Sequence, residues 1–169
     1  MIKLHEIPIT VQLRLSHNQY NESGWPLCEI QWNGQTVKRF EANIDVVEFK
    51  VQQELQAEQS VLQFHHYGIN HHRDDKWVEV KQIFINNIDL QHITWDGVQH
   101  AFIPPWDNVD PVMPGNLYLG YNGYISWTFQ NPILLDIQKR LGKTVQQIQG
   151  QETTREILDQ AKEYFWSQE

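Results

Sequence analysis

From the N-terminus to about Gln130 apolar and polar residues alternate, the period-two pattern of strands with one face buried. Ile9, Val11, Leu13 and Leu15 fall on one side of the first such run, with Thr10, Gln12 and Arg14 between them. Leu27 to Gln31 leads into Trp32-Asn33-Gly34-Gln35, and Val37 and Phe40 follow. Asn-Gly readily takes positive φ at both central positions, so Asn33-Gly34 predicts a two-residue hairpin turn. Further strands are predicted over Ile44–Val51, Ser60–Tyr67 and Trp77–Phe84. The same logic predicts a second hairpin, in which Leu117–Tyr121 turns at Asn122-Gly123 into Tyr124–Phe129. There Ile125, Trp127 and Phe129 share one face, and Ser126 and Thr128 the other.

Two stretches break the pattern. Between Ile88 and Pro114 the turn pairs Asn86-Asn87 and Asp96-Gly97, followed by Pro104, Pro105, Pro111 and Pro114, predict a long irregular connection. After Gln130 the period lengthens. Asn131 as N-cap, Pro132 at the first helical position and Gly142 as the stop predict a helix over Ile133–Leu141. A second helix is expected over Thr154–Trp166, with Ile157, Leu158, Ala161, Tyr164 and Phe165 on one face. The expected architecture is therefore mainly β, an antiparallel β-sandwich with a short helical C-terminal tail. Residues 1–130 form the sandwich, and residues 131–169 form an extension packed on it or on a partner.

The 169-residue length suffices for one domain without disulfides, and the single Cys28, in an apolar strand, reads as a core residue. A net charge of −8 argues against a sequence-independent nucleic-acid binder, which needs clustered Lys and Arg. No stretch approaches the roughly 18 apolar residues of a membrane helix. Met1–Thr10 lacks the apolar core of a signal peptide, so synthesis in a reducing cytoplasm is expected.

Candidate chemistry is sparse. His65, His66, His71, His72, Asp74 and Asp75 lie close in sequence, but adjacent His65 and His66 point to opposite faces of a strand. Too few donors converge for a cation, and the expectation is no metal and no cofactor. Asp96, Asp107 and Asp110 all fall in one connection, and no nucleophile or phosphate-binding motif is present, so the chain is not expected to be an enzyme. Aromatic residues carry more information. Of the seven tryptophans, Trp25, Trp95 and Trp106 fall in predicted loops. An indole beside carboxylates and amides suits the face and hydroxyls of a sugar, which makes Trp95, Asp96, Trp106, Asp107 and Asn108 the candidate ligand-binding residues.

Three segments carry a family resemblance: Leu62–Gly68 (LQFHHYG), Trp77–Leu90 (WVEVKQIFINNIDL) and Tyr118–Phe129 (YLGYNGYISWTF). Together they make the chain similar to small phage-encoded proteins built around a module like the calcium-dependent xylan-binding carbohydrate-binding modules. The resemblance implies a jelly-roll-like sandwich. It also implies a non-catalytic, virion-associated module of carbohydrate-binding type, made in the host cytoplasm. The implied partners are other virion proteins and a polysaccharide, with neither nucleic acid nor membrane. The alternative is a purely structural virion protein, a decoration or tail component that docks on neighbouring subunits. In such modules the loop after the first segment is acidic and holds metal. Here it reads INHHRDD, residues 69–75, with Asp74 and Asp75 as its only carboxylates, well short of the six to eight oxygens calcium takes.

Overall fold

The first alternating run becomes the spine of one of two sheets. In the computed structural model, which describes residues 6–18, 24–69, 76–101 and 111–142, strand β1 (Glu6–His17) lies between β4 (Val46–Glu54) and β6 (Val78–Ile85). Short β10 (Tyr118–Leu119) extends the β6 side, and β7 (Ile88–Asp89) pairs with the far end of β6. The second sheet has six strands in the order β3-β2-β5-β11-β8-β9. Their ranges are β3 Gln35–Glu41, β2 Leu27–Trp32, β5 Gln59–Tyr67, β11 Gly123–Gln130, β8 Val98–Ala101 and β9 Val112–Pro114. Every pairing is antiparallel. The protein is a β-sandwich.

Strands β1, β2, β4, β5, β6 and β11 contribute alternate residues to one core between the sheets. Ile9, Val11 and Leu13 meet Cys28, Ile30, Leu62, Phe64, Ile125, Trp127 and Phe129 there, all almost fully buried. Desolvation pushes the Cys28 thiol far up from its ordinary pKa, as befits a core residue rather than a nucleophile. The helix α1 (Ile133–Leu141) adds Ile133, Leu134 and Ile137 to the same core. Thr154–Trp166 falls outside the described residues.

The Asn33-Gly34 hairpin forms as the sequence predicts, with φ of 51° and 79°. Asn33 also accepts from Val61 N through its side chain and donates its own N–H to Val61 O, so the turn is clamped to β5. The second predicted hairpin does not exist. β10 pairs with β6 in the first sheet, whereas β11 pairs with β5 and β8 in the second, so Leu119–Gly123 is a crossing between layers. Asn122 uses its amide to clamp both the N–H and the C=O of Ile69, at 2.9 and 3.0 Å. Gly123 does not take positive φ; it lies in the strand, where a Cβ would sit 2.5 Å from His100 O. Asn-Gly here serves a clamp and a close backbone approach, two needs that look like a turn in sequence.

The described parts of the Ile88–Pro114 stretch are likewise more regular than predicted. They hold β7, a 3-10 helix at Gln91–Asp96, β8 and β9. Pro114 is tolerated because β9 is an edge strand and needs no second ladder. Helix α1 starts one residue later than the predicted Asn131 cap: Pro132 occupies the cap position, after a cis Asn131-Pro132 bond. The amide of Asn131 instead donates to Glu54 O and Ala57 O and accepts from Ser60 Oγ. The buried Gln53 side chain takes over the capping, accepting from Ile133 N at 3.0 Å. Gly142 closes the helix in the left-handed region, as its sequence position predicts.

The two glycines separate the two mechanisms. Gly34→Ala meets no atom within 4 Å but keeps a φ of +79°, and should cost about 1 kcal/mol. Gly123→Ala must displace the β8 backbone and should cost about 3 kcal/mol. Urea melts of the two variants check the order; equal losses would contradict the crossing.

Candidate functional site

Trp95 stands at the end of the 3-10 helix, where Ile93 and Thr94 are buried. Thr94 fixes this turn twice, accepting at its Oγ1 from Ile83 N and at its carbonyl from Trp127 Nε1 at 2.8 Å. Gly97 permits the fit, since a Cβ there would lie 2.7 Å from the Trp127 ring. Two inward residues thus hold the turn, and the Trp95 ring is left 54% exposed.

Asp96, next in the chain, is paired with Arg140 of α1 at 2.6 Å, and Arg140 also reaches Asp136 at 3.2 Å. Beside this pair lies a shallow cavity of about 180 Å³, lined by Asp96, Val98, Ser126, Trp127, Thr128 and Arg140. Of the five sequence-predicted site residues, Trp95 and Asp96 are adjacent here; Trp106, Asp107 and Asn108 fall outside the described residues.

The cavity opens onto the outer face of the six-stranded sheet, where sequence reasoning named no site. The register places His65 opposite Tyr124 and Tyr124 opposite His100. Their rings stack, His65 on Tyr124 at 4.8 Å and His100 on Tyr124 at 4.7 Å between centroids. Ser126 Oγ approaches His100 Nε2 at 3.5 Å, and His65 Nε2 pairs with Gln63 Oε1 at 3.0 Å. Glu29, beside His65, accepts from Gln31, Thr36 and Arg39. The Gln31 amide first, then Arg39 and Thr36, hold the Glu29 carboxyl down at about 2. Desolvation lowers the His65 pKa, against a smaller upward pull from Glu29. Alternation puts Gln63, His65, Tyr124 and Ser126 at outward positions, and the register between strands aligns them in a row.

His66 points the other way. It is fully buried, and its Nδ1–H donates to Leu119 O at 3.0 Å. Burial, with a smaller contribution from nearby Lys76, lowers its pKa to about 4, although the Leu119 carbonyl pulls upward. His66 is therefore a structural residue of the crossing and faces away from the His65 ring.

No protein-family model matches the chain, and no curated protein matches it. Solved structures do. The carbohydrate-binding module vCBM60 in complex with galactobiose aligns at 15% identity and TM-score 0.49, over 70% of this chain and 96% of that one. The selenomethionine form of vCBM60 aligns at 17% identity and TM-score 0.50, over 70% of this chain and 89% of that one. It is described in connection with circular permutation between two families of calcium-dependent carbohydrate-binding modules. The likeness is one of fold.

Among the described residues no three His, Cys, Asp or Glu side chains converge. Asp96 and Asp136 are engaged by Arg140, and Asp89 by Gln82 and the Gln91 N–H. His71, His72, Asp74 and Asp75 fall outside the described residues.

The buried histidine yields a pH prediction. The folded pKa of His66 lies below its unfolded value, so the unfolded chain binds the proton more readily between the two. Its stabilising effect is complete above about pH 6.5 and is lost as pH falls towards 4, by about 3 kcal/mol in all. His66→Gln should flatten stability against pH over that window in urea melts. A slope identical to wild type would contradict the assignment.

Proposed function

We propose that the chain is a non-catalytic carbohydrate-binding module that takes a polysaccharide at the Trp95–Asp96 turn. The observation that carries the reading is an indole left more than half exposed by a hydrogen-bonded turn, beside a carboxylate paired with Arg140. Protein tryptophans of this size are mostly buried, and an exposed one on an ordered turn offers a flat apolar face to a sugar ring. Asp96 and Ser126, at the rim of the cavity, supply hydrogen-bond partners for hydroxyls. The likeness of fold to modules described as carbohydrate-binding supports the reading.

Affinity electrophoresis through gels containing neutral polysaccharides tests it. Retardation of the protein is expected, and Trp95→Ala should weaken binding by about 2 kcal/mol or more, as loss of an aromatic anchor does. Its melting should stay within about 0.5 kcal/mol of wild type, since the ring packs outward. A Trp95→Ala protein retarded like wild type would remove the turn from the site.

A second reading, the structural virion protein that docks on neighbouring subunits, is favoured by the sheet edges. Several exposed large apolar residues fall on edge strands: Val37 on β3, Val46 on β4, Val112 on β9 and Tyr118 on β10. Such edges are common sites of strand-to-strand association. On this reading the chain sediments with assembled particles through a density gradient, and Val37→Lys combined with Val46→Lys releases it. Sedimentation only as free protein would exclude it.

A further inference from the structure

We infer that the binding surface extends beyond the Trp95 turn across the outer face of the six-stranded sheet, and that it takes an uncharged polyhydroxylated chain. The inference rests on the carbohydrate-binding reading and names both the track and the ligand class.

The two outer faces of the sandwich differ in chemistry. On the β1–β4–β6 sheet the outward residues include Arg14, Glu48, Lys50, Glu79 and Lys81, with Lys81 paired to Glu79 at 2.7 Å. That is an ordinary solvated face. On the other sheet, the outward positions of β2, β5, β11 and β8 carry one charged residue among these described strands, Glu29. Arg39 of the neighbouring β3 matches its charge. The remaining outward positions include Gln31, Gln63, Ser126, Thr128, Tyr67, Tyr124, His65 and His100. Gln31, Gln63, His65, Tyr124 and Ser126 are half-buried rather than extended into water.

The geometry selects the ligand. With both faces of Tyr124 taken by imidazoles, the ladder presents polar ring edges instead of an open stacking surface. Amides, hydroxyls and imidazoles are mixed donors and acceptors, which match sugar hydroxyls. The Glu29–Arg39 and Asp96–Arg140 pairs close the two sides with their charges matched. A polyanion would meet Glu29 and Asp96, and a polycation would meet two arginines. From β2 to β8 the row crosses three strand spacings, roughly 14 Å. The 180 Å³ cavity at Ser126 links its β8 end to the Trp95 turn.

The test is affinity electrophoresis of the full chain in xylan, galactan, mannan and hydroxyethylcellulose, with polygalacturonate and chitosan as charged probes. Wild type is expected to be retarded by at least one neutral polymer and more weakly by the charged ones. Tyr124→Ala should lose about tenfold or more in affinity and Gln63→Ala about fivefold. Gln63→Ala should melt like wild type, which separates a binding loss from a folding loss. Gln12→Ala, on the opposite outer face, should bind unchanged. If wild type binds and Gln63→Ala and a folded Tyr124→Ala bind equally well, the track is wrong while the module reading stands on Trp95. Stronger retardation by polygalacturonate or chitosan would overturn the ligand class. Failure to bind any of the six polymers would overturn both the module reading and the track.

Discussion

Where the chain passes from one sheet to the other, the carbonyls of Tyr118 and Leu119 must be satisfied by partners reaching across the sandwich. Buried backbone groups without partners are costly, and here Gln99 donates to Tyr118 O while His66 donates to Leu119 O. Both donors are fully buried, and the Tyr121 hydroxyl hydrogen-bonds the other end of the Gln99 amide. These bonds, with the Asn122 clamp on Ile69, fix where β11 begins. Gly123 then falls opposite His66 and Ala101, so Tyr124 must fall between His65 and His100. A slip of one residue would turn Tyr124 into the core and Ile125 into water. The polar row on the outer face is thus a consequence of hydrogen bonds made inside.

Much of the sandwich was legible as alternation, because period two survives wherever a strand has one buried face. Ile9 to Leu15 and Ile125 to Phe129 kept their sequence-predicted sides, and Ser60 to Tyr67 lies in a strand as predicted, with His65 and His66 on opposite faces. Short elements were not legible. β8 and β9 have four and three residues, too few to show a period, and Pro114 argues against a strand unless its edge position is known. Asn-Gly proved ambiguous for a physical reason. At residues 33 and 34 both members take positive φ; at 122 and 123 the same pair answers a side-chain clamp and a backbone contact from residues far away in sequence.

The candidate site was half legible. Trp95 and Asp96 stood out as an aromatic beside a carboxylate; Asp96 lines the cavity, and Trp95 stands exposed next to it in the chain. Arg140, which fixes Asp96, comes from a helix 44 residues on, and no local pattern announces it. The ladder was hidden differently. Its residues come from three strands, and only the register aligns them; what the sequence does hold is the near absence of charge at the outward positions of β2, β5, β11 and β8. In a chain of net charge −8, a face so poor in Lys and Glu is a departure from an ordinary solvated surface.

The central claim is that this face and the Trp95 turn together form one polysaccharide-binding surface. Amide chemical-shift mapping of the isotope-labelled protein, titrated with oligosaccharides of a neutral polymer that retards it, addresses it most directly. The account predicts a contiguous set of perturbed amides running from Trp95 through Ser126 and Tyr124 to His65 and Glu29, with Arg14, Lys50 and Lys81 unmoved. Perturbations confined to the β1–β4–β6 sheet, or scattered without a connected path through Tyr124, would contradict it.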